Sequence, residues 1–160
     1  MKKYFTVLTV MLLAAMAVAT WAETKKGAML PKDWMTYQFI GSLIITDQKS
    51  PLFGIHHFYM NKKGIETFKK GGAYPDGTII VDAVYEAVMG QGGMINEGKK
   101  LFYPVMIKDS KGKEAKETGG WIFAAFDPDG KPIQMDVKKG CFECHASVKD
   151  SDYVFSKPLK

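Results

Sequence analysis

Apolar and polar positions alternate along several short stretches of the chain, and the stretches are rich in β-branched and aromatic residues. Residues 39–46, with Ile40, Ile44, Ile45 and Thr46, read as a strand. So do residues 55–60, 78–81, 101–107 and 121–126. Pro31 sits where it can open a short helix running to Tyr37. Asn61 is placed to cap a helix over residues 62–70, which Gly71 and Gly72 would close. Pro75-Asp76-Gly77 and Asp127-Pro128-Asp129-Gly130 are turn sequences. Glycines 90, 92, 93 and 98 mark a loop, residues 109–120 form a lysine-rich hairpin connection, and a short helix and loop follow Val137. Turns join the strands, not long helical crossovers. The expected fold is therefore mainly β or α+β, an antiparallel sheet of about five strands with a few short helices.

The N-terminus has a different pattern. Lys2 and Lys3 precede an apolar run from Tyr4 to Ala19, and small residues follow up to Ala22. This is the layout of a secretory signal peptide, residues 1–22, cut after Ala22 or after Ala19. The other reading is an uncleaved membrane anchor, for which the run is shorter than the roughly 20 residues a spanning helix needs. Residues 23–160 are then a single domain, and the protein is expected in the periplasm.

Charge narrows the set of partners. The chain of 160 residues carries a formal charge of +5, and cleavage removes two of those charges with Lys2 and Lys3. Every strongly basic residue is lysine; there is no arginine. Arginine is the usual residue for bidentate recognition of phosphates and bases, so nucleic acid is not an expected partner. The lysines fit a solvated face, or one that steers an acidic redox partner.

The only two cysteines are Cys141 and Cys144, and His145 follows at once. This is the C-x-x-C-H pattern of covalent c-type haem attachment. Two thiols three residues apart on a helical turn can reach the two vinyl groups on one porphyrin edge, and the next side chain projects its imidazole toward the iron. A redox C-x-x-C pair would need a βαβ context, and a zinc site would need further thiol or imidazole ligands. The expected cofactor is one covalent haem c, bound by Cys141 and Cys144, with His145 as the metal ligand. Only fifteen residues follow His145 and none is methionine, so a sixth iron ligand, if there is one, comes from the upstream sheet.

On the opposite side of the haem the candidates are fewer. His56 and His57 are neighbours on one strand and point to opposite faces, so at most one faces the haem easily. His56 shares its face with Phe58 and Met60. Asp82 follows the apolar run Ile79-Ile80-Val81; it lies either at a strand edge in water or in a pocket with a polar task. Aromatic residues recur on the strands, most as core and one or two as a cap over an open iron site, where pocket polarity and access decide the chemistry.

Taken together these motifs resemble the cytochrome P-460 family, which includes the cytochromes c′-beta. The resemblance rests on Leu30-Pro31-Lys32 with Trp34 and Tyr37 before Gly41, on Tyr59 to Asn61, on Pro75-Asp76-Gly77-Thr78 at a strand start, on Lys108-Asp109-Ser110, on Gly120-Trp121 and on the late haem motif. It implies an antiparallel β fold, usually a homodimer, with a five-coordinate or weakly six-coordinate iron. Members that oxidise hydroxylamine carry a lysine cross-linked to the haem; the c′-beta members lack it, have an aromatic cap and bind nitric oxide or carbon monoxide. Aligned on the resemblance, the cross-linking position is Asp82. His56 falls where the oxidising members place a basic distal residue, and Phe58 is a candidate cap. Ala146-Ser147-Val148 lacks the carboxylate that oxidising members offer the pocket, a role open to His56 or Asp82. The expected function is an exported c-type cytochrome with an open distal site for small ligands such as nitric oxide. The alternatives are hydroxylamine oxidation and plain electron transfer.

Overall fold

The computed structural model describes residues 28–159; the expected signal peptide, residues 1–22, lies outside them. Five strands form one antiparallel sheet: β1 (Gln38–Ile45), β2 (Gly54–Met60), β3 (Ile79–Met89), β4 (Ile95–Lys108) and β5 (Trp121–Phe126). Their spatial order is their order in the chain, β1-β2-β3-β4-β5. Helix α1 (Lys62–Lys70) connects β2 to β3, and helix α2 (Glu143–His145) is one turn within the C-terminal segment. The mainly β expectation therefore holds. Among the described residues no helix is long and apolar enough to cross a membrane.

The side-chain period of two gives the sheet two different faces. One face buries Val81, Ala83, Tyr103, Val105 and Phe126 under Trp34 and the chain leading into β1. The other carries Met60, Ile80, Met106, Trp121 and Phe123, covered by Ile65 and Phe68 of α1 and by Val154 of the C-terminal tail. Gly64 lets α1 settle onto this face: a Cβ there would collide with Met60 and Thr78. The covered part of this second face is only one end of it. At the other end the sheet stands back from the C-terminal segment, and the gap is the cavity described below.

Three details depart from the sequence reading. The strand expected at residues 78–81 runs on to Met89, and β4 starts at Ile95, so the expected glycine loop shrinks to a tight turn between them. Gly98 is a strand residue, where a Cβ would meet Val88 and Glu86 of the neighbouring strand. The helix expected from Pro31 to Tyr37 is a single 3-10 turn, Trp34–Thr36. Asn61 sits at the N-terminus of α1, but its side chain makes no capping bond. It bridges the strands instead: its Nδ2 donates to the Gly77 carbonyl at 2.8 Å and its Oδ1 accepts from the Ile79 N–H at 3.1 Å.

Candidate functional site

The C-x-x-C-H motif lies on continuous helical backbone: a π-helical turn (Lys138–Phe142), then α2, then a 3-10 segment (Ala146–Ser151). Positions three and four apart on such backbone share a face. Cys141, Cys144 and His145 accordingly line one cavity of about 750 Å³, together with His56, Phe58 and Asp82 from the sheet. These six candidate residues thus meet in one place, and His57 does not join them. The volume is in the range of cofactor pockets, and so is the lining, apolar with a few convergent polar groups. Leu43, Leu52, Phe102 and Phe155 supply much of the apolar wall. The two cysteines are not joined in a disulfide. Burial pushes the Cys141 thiol up from its ordinary value.

His145 is oriented by the chain that follows it. Its Nδ1–H donates to the Tyr153 carbonyl at 2.7 Å. That bond fixes the tautomer and leaves the Nε2 lone pair free for a metal. Burial lowers the His145 pKa, which keeps the ring neutral. Phe123 and Phe155 hold the ring between them, with centroids 5.1 and 5.0 Å from it.

The Tyr153 carbonyl is itself held in place. Asp152 and Tyr153 both adopt left-handed backbone, with φ of 49° and 66°, a conformation that costs non-glycine residues energy. A knot of polar contacts secures the turn. Lys108 Nζ, 7% exposed, lies 2.7 and 2.9 Å from the two carboxylate oxygens of Asp152, itself 13% exposed. The same ammonium donates to the Gly119 carbonyl at 3.1 Å and sits 4.9 Å over the Trp121 ring. The Tyr74 N–H donates to Asp152 Oδ2 at 2.7 Å, and the Trp121 indole N–H donates to the Asp152 carbonyl at 2.9 Å. Burial first, then the Asp152 charge, pushes the Tyr74 phenol up to about 12.

The sheet wall is more polar than its sequence suggests. Phe58 and Asp82 are direct cross-strand partners, and His56 stands diagonally from Asp82. His57 projects to the opposite face, where its Nε2 contacts Glu97 at 2.6 Å. Of the two readings of Asp82, the pocket is the right one. It lies in the middle of an inner strand, its side chain 14% exposed, with Oδ2 2.7 Å from His56 Nδ1. The β3–β4 register runs through Val81↔Val105 and resumes at Val84↔Phe102. Pro104 falls in the interval and has no N–H to donate. His56 Nε2 donates to the Leu52 carbonyl at 2.8 Å. With both ring nitrogens engaged, His56 has no free lone pair for a metal. Burial disfavours the His56 cation, but the bond to Asp82, its charge and the Leu52 carbonyl outweigh that and raise the His56 pKa. Burial also raises the Asp82 pKa, against the opposing pull of His56. The two directions have different causes: pairing with Asp82 raises His56, and burial raises Asp82. Among the described residues, the buried Asp82 Oδ1 has no hydrogen-bond partner.

Sequence reasoning did not single out Lys108, Asp152, Tyr153, Leu52, Phe123 or Phe155 as site residues. The left-handed Asp152-Tyr153 pair has no glycine to mark it, and the carbonyls of Leu52 and Tyr153 act through backbone that every residue shares.

A sheet-walled cavity, two thiols on its rim and an imidazole presenting a free Nε2 form a setting suited to a haem protein. The comparison with protein families agrees. The chain belongs to the cytochrome P460 family, whose model matches residues 31–156, and that membership implies a haem cofactor. No curated protein matches the chain. The residues fit the cofactor on three counts: the cavity volume, the His145 tautomer and a polar atom left unpaired on the sheet side.

Proposed function

We propose that this protein is an exported mono-haem c-type cytochrome whose distal site binds small ligands such as nitric oxide. The observation that carries the proposal is the convergence of Cys141, Cys144 and His145 on one cavity with His145 Nε2 unengaged. In this reading Cys141 and Cys144 hold the haem covalently and His145 is its proximal ligand. The bound haem supplies a redox-active iron. The chain's part is to orient His145 through Tyr153, to keep bulk water out with Leu43, Phe58 and Phe102, and to offer one polar wall at His56 and Asp82. Both nitrogens of His56 are engaged, so His56 offers the iron no free lone pair, which supports an open distal site.

The signal-peptide pattern of residues 1–22 supports a periplasmic location, where an acidic redox partner would meet its lysines. A homodimer is the expected assembly. Hydroxylamine oxidation is the second reading, favoured by the polar His56–Asp82 wall; against it stands the carboxylate at the position where the resemblance puts a cross-linking lysine.

Absorbance, mass and ligand binding of the purified protein test the proposal together. One haem should survive acid–acetone extraction, and the double variant Cys141→Ala, Cys144→Ala should lose it. Nitric oxide should shift the spectrum of a high-spin iron. Haem retained by the double variant would sink covalent attachment. A low-spin spectrum indifferent to nitric oxide would sink the open site. A red-shifted ferrous Soret band with steady hydroxylamine turnover would favour the second reading.

A further inference from the structure

We infer that Asp82 is a distal base, which takes the proton from small neutral weak acids that enter the cavity as H–X and stay there as the anion. The inference rests on the haem reading above and deepens it by naming a ligand class.

The Leu52 carbonyl can only accept, so His56 Nε2 always carries a hydrogen. One further proton lies between His56 Nδ1 and Asp82 Oδ2, 2.7 Å apart. The pair is neutral overall, an imidazolium beside a carboxylate. Asp82 Oδ2 is thus occupied, and Oδ1 is the acceptor left over. Asp82 lines the same cavity as His145. A buried acceptor without a partner is costly, and a ligand that brings a proton satisfies it.

The rest of the wall decides what kind of ligand can bring one. Leu43, Leu52, Phe58 and Phe102 are apolar, so an anion pays a desolvation penalty on entry that a neutral acid avoids. A neutral acid H–X gives its proton to Asp82 Oδ1, and X⁻ remains in the cavity. Asp82 becomes a neutral carboxyl and His56 remains a cation. The pair changes from zero to one positive charge, which balances the anion. Burial makes Asp82 a stronger base than an exposed carboxylate, in keeping with this role. Gases such as carbon monoxide bring no proton and draw nothing from Asp82.

The other groups that bear on Asp82 can be named. On β2 they are His56 and, with its ring on the opposite face, His57; on the C-terminal segment, His145. Lys157 lines the cavity from the tail, and β1 and β4 contribute only uncharged side chains there. His56 is a positioning residue: it holds Asp82 Oδ2, which leaves Oδ1 free.

The test uses the haem-loaded protein, with hydrogen cyanide as the weak acid and carbon monoxide as the ligand without a proton. Association of each is followed by absorbance across a pH series. In Asp82→Asn, cyanide association should slow by about 10²-fold, the lower end of the effect of a positioned general base, while carbon monoxide association stays within about twofold. Asp82→Glu should recover part of the loss. In the unaltered protein, cyanide association should fall on acidification as Asp82 takes up a proton, and carbon monoxide association should not. This arm stands even if the variants do not fold. Cyanide rates unchanged in Asp82→Asn, equal slowing of both ligands, or a flat cyanide profile in the unaltered protein would each overturn the inference. A protein that takes up no haem would instead overturn the haem reading beneath it.

Discussion

Replacing Lys108 by methionine removes a charge while keeping most of the side chain's volume, so the effect on Asp152 can be read cleanly. In the native fold the ammonium touches both Asp152 oxygens and the Gly119 carbonyl, and both side chains are nearly sealed from water. Methionine leaves a buried carboxylate with only the Tyr74 N–H for company. Breaking a buried pair on one side costs about 3–5 kcal/mol, because the remaining charge is uncompensated. The Asp152-Tyr153 turn is also left-handed, and it loses the contact that best explains why it holds. Denaturant unfolding of Lys108→Met against the unaltered protein should therefore show a loss of about 3–5 kcal/mol. The double variant Lys108→Met, Asp152→Asn should recover part of it, since an amide tolerates burial better than an unpaired carboxylate. The resonance Raman iron–histidine band of the haem-loaded protein should move as well, because the Tyr153 carbonyl is held by this turn. A loss below about 1 kcal/mol, typical of an exposed pair, would refute the claim that the knot supports the proximal histidine.

Other expectations follow from the same contacts. Gly119 has φ of +67°, and a Cβ on it would run into the Tyr153 ring; Gly119→Ala should destabilise the fold by about 1–3 kcal/mol and reduce haem retention, both measurable on one preparation. His56 and Asp82 have raised pKa values, so the folded state binds their protons more tightly than the unfolded chain. The Asp82 share of stability declines as pH rises above its ordinary 3.8, and the His56 share is complete below 6.5 and lost as pH climbs through the raised folded value. A urea midpoint that falls from pH 6 to 9 in the unaltered protein, and falls less in His56→Gln, is the expected result; identical profiles would count against the shared proton. Phe123→Ala removes one side of the aromatic clamp on His145 and should cost about 3–5 kcal/mol, as for other buried phenylalanines, read by thermal or denaturant unfolding.

The strands were legible because half-buried sheets write their burial into alternate positions, as in Trp121, Phe123 and Ala125 against Ile122 and Ala124. β3 was legible only as far as Val81. Beyond it Asp82 and Glu86 interrupt the apolar run, yet the ladder to β4 carries the strand past both to Met89 and takes in Gly98 on β4. Cross-strand pairing outweighs local composition there. Cys141, Cys144 and His145 were legible as a candidate site because covalent haem attachment would need their fixed spacing. The supports of His145 were not. Lys108 and Asp152 are 44 residues apart, and no local pattern links them. Phe58 and Phe68 look alike in a sequence, and only the fold puts the first on the cavity wall and the second in the packed core.

The sheet's strand order has a consequence for how the molecule assembles. Each strand pairs with its predecessor in the chain, so the meander is built from contacts of short sequence separation, the kind that forms early and quickly. The segment with the two thiols comes last and joins the sheet through longer-range contacts such as Lys108 to Asp152. The natural sequence of events is a sheet that forms first and a tail that docks onto it afterwards. Until the tail docks, Cys141 and Cys144 remain outside the closed cavity and open to chemistry. If the haem is held covalently as proposed, it could be joined to the undocked tail and then drawn against a finished wall, with no need to thread it into a closed protein.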